Sequence, residues 1–487
     1  MVVVQTLEKN GYKVKIMGNI KAYKKGVNIK LPISKQIDVN FRDYALYVLE
    51  NRGIPSFYDG LTNVQKYILQ NAPTSYTKTI SLIGSCIKSG YSHGDSSLEG
   101  AINKLARPYN CAEQVMIGDG FFGSPVKNEA AAARYTSIKI NSSISNIIKE
   151  YSFLNEMDEG KWKPLWLRVP IGLTTSIMGI AVGYRTSILP RSIEDMEKYL
   201  SGKIKEVHPT FINFSGKVSR FQNMDRSWLI EGKTIVSNKN KEIRVTCLPP
   251  MLKYKKFLRK IEDLKEEFGD RLTVQDNSRD DIDITFKFRG RSTSEFEEIK
   301  NFIKKTTKII VTETPVFVKD GSVLVYDRIE DYLDDYQYRL LELEYRRDEY
   351  YYNTTSDELE FQKAKKKYLE FMVAKKRTET EINKFLDKFD KKISKRLDAI
   401  RLRFLSNDEL KKTVAKIKEL EIEKKKLNKR FNDSKTLFEK TEDPTLKHGK
   451  KSGEQKTANL FDESDINDYD GIEVFQGDDV DEDEDEL

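Results

Sequence analysis

Apolar residues recur at three- and four-residue spacing in four segments near the start of the chain, which predicts short amphipathic helices. The segments are residues 43–51, 63–72, 77–88 and 96–106. Asp95 and Ser96 are placed to cap the last of these helices. Short helices joined by tight turns are typical of helix-turn-helix folds, so we expect such a fold here.

Further along, alternating apolar and polar residues indicate strands. A glycine-rich stretch, GDGFFGSP at residues 118–125, is followed by a segment that ends in the alternation of YTSIKI. Between residues 166 and 325 strand and helix patterns interleave, which indicates an α+β region. The strand candidates are GIAVGY, KTIVSN, EIRVTCL, IDITFKF and SVLVYD, and the helix candidates are SIEDMEKYLSG and KYKKFLRKIEDLKEEF.

From about residue 327 to residue 431 the chain is rich in Lys, Glu, Leu and Tyr and carries two long apolar-striped arms separated by a shorter helical section. This arrangement predicts an antiparallel coiled coil with a tip, although a purely structural coiled coil has the same pattern. After Thr441 few apolar residues remain, and we predict a disordered tail.

Charge is distributed unevenly along the 487 residues, although the net charge is only +7. Residues 461–487 hold 14 acidic and no basic side chains, which leaves 84 basic and 63 acidic residues in 1–460, a balance of +21. A body this basic favours an acidic polymer such as nucleic acid as partner. The alternative is a lysine-rich helical surface without a partner.

Several classes of protein are excluded by composition. No apolar run approaches the ~18 residues that a membrane-spanning helix needs. Three cysteines without a Cys-x-x-Cys pair argue against a disulfide framework and the usual zinc sites, and three histidines argue against a multi-histidine metal centre. The first residues lack the plan of a secretory signal, so we expect a cytoplasmic protein, in the host cytoplasm if the protein is viral.

The most informative segment is Gly118–Ile140. It combines the glycine-rich GDGFFGS, a run of alanines and the triplet Arg134-Tyr135-Thr136. In this order the three elements resemble the active-site stretch of type IIA DNA topoisomerases.

The resemblance continues on both sides of that segment. Residues 44–69 are similar to the opening helix-turn segment of the family, and YSHGDS at 91–96 to its His-Gly-Asp helix start. His93 lies 42 residues before Tyr135, the separation expected in the gyrase A branch. MGIAVGYRTSILP at 178–190 is similar to the Gly-Ile-Ala-Val-Gly segment of the family. The overall layout resembles that of the cleavage subunits of T-even-like bacteriophage topoisomerases.

This resemblance implies DNA chemistry at Tyr135. Its hydroxyl would attack a backbone phosphorus of duplex DNA and form a 5′-phosphotyrosine link, while Arg134 and His93 hold the same phosphate. Ile180 would insert between bases. Further DNA contacts are expected at Arg52, Lys66 and Lys78.

Some positions depart from the gyrase-like pattern. Tyr91 and Ser92 stand where gyrase-like members have a second His and a Pro. In the segment Gln65-Lys66-Tyr67 only Lys66 keeps a charge where those members have His-Arg-Arg, which puts the second basic position in doubt. An acidic tail replaces the C-terminal DNA-wrapping domain, so strong supercoiling is not expected.

Partner chains are implied as well. The family holds its metal on the acidic cluster of a Toprim domain, and no such cluster is evident here, so Mg²⁺ is expected from a partner chain. The GKT at residues 232–234 lacks the first glycine of a phosphate-binding loop, because Ser227 stands there; ATP is therefore expected on the ATPase/Toprim partner. A homodimer is implied because one tyrosine cuts each strand.

We therefore predict an α+β multidomain protein with an N-terminal arm (1–36), a winged-helix DNA-cleavage domain (37–160), a tower-like α+β domain (161–326), a coiled coil with a dimer gate (327–440) and a disordered acidic tail (441–487). The rival is a DNA-bending scaffold that kept the fold and lost catalysis; the joint presence of Arg134, Tyr135 and His93 argues against it. A coiled-coil organiser of chromatin leaves the 118–140 motif unexplained.

Overall fold

The computed structural model describes residues 4–9, 12–17, 20–21, 44–45, 47–49, 53–154, 157–158, 161–162, 164–222, 224–375, 377–400, 406–441, 450–451 and 473–475. The chain divides into two compact units, one comprising Met1–Gln337 and Pro444–Leu487 and the other Tyr338–Asp443. Among the described residues no helix has the length and apolar character needed to cross a membrane.

At the N-terminus three strands pair antiparallel in the order β1-β2-β3; they are β1 (Val4–Lys9), β2 (Tyr12–Met17) and β3 (Ile20–Lys21). The rest of the predicted arm lies outside the described residues.

The helix-rich segment that follows contains α1 (Asn63–Gln70), α2 (Thr79–Lys88) and α3 (Asp95–Ala106). The three helices contact one another and bury their apolar stripes, which include Ile68, Leu82, Ile83, Leu98 and Ile102. The first helix starts at a capping pair, because the Thr62 backbone N–H donates to Gln65 Oε1 at 2.9 Å. The N-cap residue of α3 is Gly94 and not Asp95 or Ser96 as predicted; Asp95 lies in the first turn, where its Oδ1 accepts the Ser96 N–H at 3.0 Å.

A small antiparallel sheet accompanies these helices, with strand order β4-β6-β5. Its strands are β4 (Thr77–Lys78), β5 (Met116–Asp119) and β6 (Ser137–Ile140). Helices followed by a three-stranded sheet are the arrangement expected of a winged helix, and that assignment stays a prediction. Then come α4 (Ser142–Glu150), β7 (Met157–Asp158) and β8 (Lys161–Trp162).

A hairpin of β9 (Ile177–Ala181) and β10 (Tyr184–Ile188) leads into α5 (Ile193–Leu200) and the α+β region. The strands of that region are β11 (Lys217–Arg220), β12 (Ser227–Glu231), β13 (Lys233–Ser237), β14 (Glu242–Cys247), β15 (Leu272–Asp276), β16 (Ile284–Phe288) and β17 (Lys308–Thr312). Its helices are α6 (Tyr254–Phe268) and α7 (Thr293–Thr306).

These strands form two sheets over one core. The first contains β11, β12 and β17 in that order, and the second runs β13-β14-β16-β15. Both helices place one apolar face against the sheets. The shared core is built from Trp228, Ile230, Phe257, Ile261, Phe286, Phe296, Ile303 and Ile309.

A further hairpin, β18 (Val316–Lys319) and β19 (Ser322–Val325), precedes the longest helix, α8 (Ile329–Ala374). The first turns of α8 are fixed by buried tyrosines. Tyr332 donates its hydroxyl to the carbonyl of Phe57 and Tyr336 to that of Leu167, each at 2.8 Å. Burial raises the pKa of Tyr332 well above its ordinary value, so it remains a hydrogen-bond donor.

The second unit contains most of α8, the short helices α9 (Glu379–Leu386) and α10 (Lys391–Asp398), and the 34-residue α11 (Asn407–Lys440). The two long helices, α8 and α11, are antiparallel, because Tyr338 near the start of α8 stacks on Phe438 near the end of α11, whereas Tyr352, later in α8, stacks on the earlier Phe431. The short helices enclose an apolar cluster with α8 whose buried members are Phe361, Ala364, Tyr368, Leu386 and Leu397. Antiparallel arms with a tip agree with the predicted pattern, and the coiled-coil assignment stays a prediction.

In the segment predicted to be disordered, two short strands have defined pairing. β20 (Lys450–Lys451) pairs antiparallel with β19, and β21 (Glu473–Phe475) pairs parallel with β17. The rest of residues 442–487, with most of its acidic side chains, lies outside the described residues.

Candidate active site

Tyr135 lies at the end of a tight turn between the glycine-rich segment and β6. The Tyr135 N–H donates to the carbonyl of Ala132 at 2.8 Å, which closes the turn. The Tyr135 side chain is 71% exposed, and the Arg134 guanidinium lies 5.4 Å from the centre of its ring. The structure therefore presents a hydroxyl and a permanent cation together at the surface.

The residues on either side of this exposed pair are fixed. Thr79, the first residue of α2, donates its N–H to the Thr136 carbonyl at 3.1 Å, and the two threonine hydroxyls lie 2.8 Å apart with both residues fully buried. Ile80 donates its N–H to the carbonyl of Ala133 at 3.3 Å. On the other side, the Ala133 N–H donates to the carboxylate of Glu99 on α3 at 3.0 Å.

The glycine-rich loop that precedes the turn folds back on itself. Gly123 has φ of +90°, and a Cβ there would lie 2.7 Å from the Asn128 carbonyl and from the Tyr109 hydroxyl, so the position requires glycine. Arg107 donates to that carbonyl at 3.2 Å. The Ala131 N–H donates to the carbonyl of Phe121 at 2.9 Å, so the alanine run is tied to the glycines.

His93 precedes α3, the helix that carries Glu99. Its Nε2 lies 3.4 Å from the Tyr47 hydroxyl, and its ring packs edge-on against Tyr91 at 5.4 Å. Tyr91 in turn packs against Tyr67 at 5.6 Å. Two of the departures from the gyrase-like pattern therefore form one aromatic cluster that supports the histidine.

The three basic residues expected to contact DNA differ in placement. Lys78 is exposed and pairs across the sheet with Ser137, two residues after Tyr135. Lys66 is only 7% exposed, and its ammonium lies 3.5 Å from the fully buried carboxylate of Asp59. Because burial and pairing keep Lys66 inside the fold, the geometry favours a structural role over the expected DNA contact. Arg52 lies outside the described residues.

Ile180 is on the exposed face of β9, where its side chain is 57% accessible. Met178, two residues earlier, faces the same way and is 49% accessible. A Cβ at Gly179 would lie 1.8 Å from the Gly53 carbonyl oxygen, so glycine allows the strand to lie directly against this backbone. The hairpin thus presents two apolar side chains from a fixed base.

A cavity of about 970 Å³ lies between the glycine-rich loop and the β9–β10 hairpin within the first unit; its lining does not include Tyr135, Arg134 or His93. Its walls include the glycine-rich loop, the β9–β10 hairpin and the segment after β14. Its apolar lining includes Phe121, Met178 and Ile180; its charged lining consists of Lys104, Arg107, Arg185 and Lys253 together with the two carboxylates Asp280 and Asp281. Basic side chains outnumber acidic ones in this lining and apolar side chains accompany them, a composition that suits a polyanion with flat, stackable groups.

The family model for the A subunit of DNA gyrase/topoisomerase IV matches residues 52–443. The chain belongs to this family. The medium subunit of the DNA topoisomerase of Enterobacteria phage T4 is 28% identical over 436 residues, which cover 84% of this chain and 96% of that protein. The DNA gyrase A subunit of Buchnera aphidicola (subsp. Baizongia pistaciae) is 30% identical over 182 residues, 34% of this chain and 22% of that protein.

The fold has a solved counterpart. The DNA-binding, cleavage and re-ligation domain of Plasmodium falciparum topoisomerase II matches with a TM-score of 0.67 and 20% identity, over 82% of this chain and 64% of that one. The predicted mixed α+β fold and family membership are thereby confirmed. The chain is a DNA breakage-rejoining subunit of a type II DNA topoisomerase.

The described part of the chain contains no cluster of side chains that could bind a metal ion such as Mg²⁺. No group of three or more His, Cys, Asp or Glu side chains in that part is arranged to hold an ion. The described residues therefore do not fit a resident Mg²⁺.

Proposed function

We propose that this gyrase A-type protein breaks duplex DNA through Tyr135. The phenolic oxygen would form a bond to a backbone phosphorus while the bond from phosphorus to the 3′ oxygen breaks. The phenolic proton leaves the tyrosine, and the released 3′ oxygen ends as a hydroxyl. Because a phosphodiester is exchanged for a phosphotyrosine ester, resealing by the reverse attack needs no ATP. The exposed Tyr135–Arg134 pair is the observation that supports this assignment.

Each neighbouring group has a part in this proposal. Arg134 would hold the non-bridging oxygens of the attacked phosphate, since a guanidinium pairs with phosphate in a two-point geometry. His93, fixed by Tyr47 and Tyr91, would donate to the same phosphate. Lys78 would contact the backbone close to the cleaved bond.

The apolar hairpin would bend the DNA. Ile180 enters a base step, and Met178 on the same face covers the adjoining sugar or base edge. Unstacking a base step costs a few kcal/mol, which contacts of the bent duplex with basic surface offset. The cationic lining of the cavity, Lys104, Arg107, Arg185 and Lys253, supplies such surface.

The remaining requirements fall to other chains. We propose that an ATPase/Toprim partner supplies Mg²⁺ and ATP hydrolysis, and that two copies of this chain associate through a gate at the tip of the second unit. Bound Mg²⁺ would stabilise the negative charge of the transition state. Antiparallel α8 and α11, joined by a short helical tip, support the gate assignment.

Substitution of Tyr135 by phenylalanine tests the proposal. The side chain is exposed, so Tyr135→Phe should fold and bind duplex DNA like the wild type. With the partner chains and Mg²⁺ present, we expect it to yield no protein–DNA adduct that survives denaturant. Tyr76→Phe is the matched control, because Tyr76 is also exposed and packs against Lys139 nearby. If Tyr135→Phe still forms adducts, Tyr135 is not the nucleophile. If the wild-type protein bends DNA but forms no adducts, the non-catalytic scaffold is favoured instead.

A further inference from the structure

Glu99 connects α3 directly to the turn that carries Arg134 and Tyr135. Its Oε1 accepts the backbone N–H of Ala133 at 3.0 Å, although the two residues are 34 positions apart in sequence. Ala133 is buried, so water has little access to that N–H if the carboxylate is withdrawn. A buried donor that loses its acceptor is strongly unfavourable, which makes this bond a firm restraint on the turn.

The restraint acts on one residue from two sides. The N–H of Ala133 is held by Glu99 on α3, and its carbonyl accepts from Ile80 on α2. After the exposed pair, Thr136 is held by Thr79. The backbone is therefore fixed immediately before Arg134 and immediately after Tyr135, whereas these two side chains face solvent.

We propose that Glu99 is a positioning residue for DNA cleavage, and this proposal rests on the assignment of Tyr135 as nucleophile. In-line attack needs the phenolic oxygen within about 3–3.5 Å of the phosphorus, and a misplacement of about 1 Å lowers rates by roughly 100-fold. By holding Ala133, Glu99 sets the direction in which the turn presents Tyr135. The carboxylate acts through the backbone and does not itself contact DNA.

Two substitutions separate the geometry of this bond from its charge. Glu99→Gln keeps the length of the side chain and an oxygen that accepts the Ala133 N–H. Glu99→Asp keeps the charge and withdraws the carboxylate by one methylene. Glu129→Gln is the matched control, because Glu129 is an exposed carboxylate in the same loop that makes no hydrogen bond or ion pair to another described residue.

The measurement is single-turnover DNA cleavage and rejoining by the complete enzyme with its partner chains, alongside duplex affinity and melting temperature. We expect Glu99→Asp to slow cleavage and rejoining about 10- to 100-fold, with affinity within about 2-fold of wild type. Glu99→Gln and Glu129→Gln should remain within about 3-fold of the wild-type rate.

The outcomes are distinguishable. Wild-type rates for Glu99→Asp, or equal losses for Glu99→Asp and Glu99→Gln, would overturn the proposal, because geometry would then not decide the rate. Loss of affinity and melting temperature in step with cleavage would likewise overturn it, in favour of a purely structural role. Tyr135→Phe, measured in parallel, tests the nucleophile assignment separately from the role of Glu99. Adducts from that variant would refute the nucleophile assignment whatever the Glu99 variants do.

Discussion

Glu313 is the centre of a buried polar network beneath the β9–β10 hairpin, and its removal is expected to destabilise the first unit. The residue is 3% exposed and follows β17. Its carboxylate accepts from the Leu189 N–H at 2.7 Å, from Trp228 Nε1 at 2.8 Å and from two nitrogens of Arg191 at 3.0 and 2.7 Å. Arg191 is fully buried, so Glu313→Gln leaves its cation without a counter-charge.

The size of the effect follows from burial. Breaking a buried ion pair by removing one partner costs about 3–5 kcal/mol. Unfolding entropy is about 2.1 cal/mol/K per residue, or roughly 0.7–0.8 kcal/mol/K for a unit of this size. Glu313→Gln should therefore lower the melting temperature of that unit by about 4–7 °C, measured by calorimetry at about pH 7.

The exposed pair Arg244–Asp283 provides the matched control. It also has two-point geometry, at 2.7 and 2.9 Å, but the arginine side chain is 50% exposed. Solvent screens an exposed pair and leaves it little net stabilisation, so Asp283→Asn should shift the melting temperature by about 1 °C or less. Equal shifts for Glu313→Gln and Asp283→Asn would refute the reasoning. The reasoning would also be refuted if the double variant Arg191→Met with Glu313→Gln lost as much free energy of unfolding as the two single variants together.

Two further predictions concern the cavity. Ile180→Ala should weaken duplex binding about 5- to 30-fold and reduce DNA bending, because about 1–2 kcal/mol of apolar contact is lost. Fluorescence anisotropy measures the binding, and energy transfer on end-labelled duplexes measures the bending. Ile235 is similarly exposed but lies outside the cavity, so Ile235→Ala should change neither binding nor bending. Cys247 lines the cavity, so iodoacetamide at about pH 8 should label it first and DNA should slow that labelling. Burial raises the pKa of Cys86 to about 11 and of Cys111 to about 12, which keeps both as unreactive thiols until the pH approaches those values. Labelling is followed by mass spectrometry, and rapid labelling of Cys86 or Cys111 would contradict their burial.

Local periodicity was sufficient for most helices of the first unit and for strands with clear alternation. The predicted segments 63–72, 77–88 and 96–106 correspond to α1, α2 and α3 within a few residues. Sheet order was not predictable in the same way. Ser227 on β12 pairs with Thr312 on β17, 85 positions further along the chain, and a pairing at that distance leaves no local pattern.

The site shows the same division. Tyr135, Arg134 and Ile180 were predicted from linked motifs, and the structure exposes all three. Glu99 was missed because a glutamate on an amphipathic helix looks like an ordinary solvated residue, and its bond to Ala133 exists only in the folded chain. Lys66 was assigned to DNA because a lysine in a basic motif gives no sign of a buried carboxylate elsewhere in the fold.

The exposure of Tyr135 is itself an argument for function. Burying an aromatic side chain contributes about 1.5–3 kcal/mol, yet the turn places Tyr135 in solvent and buries Ala133 and Thr136 on either side. A turn selected for stability alone would gain by the reverse arrangement. The backbone there is nevertheless held by bonds from α2, from α3 and from β4, so the exposure does not come from a loosely held loop. The turn is firmly held, yet it gives up the stabilisation that burial of the Tyr135 side chain would provide. This is the pattern expected where a nucleophile must reach a large external substrate.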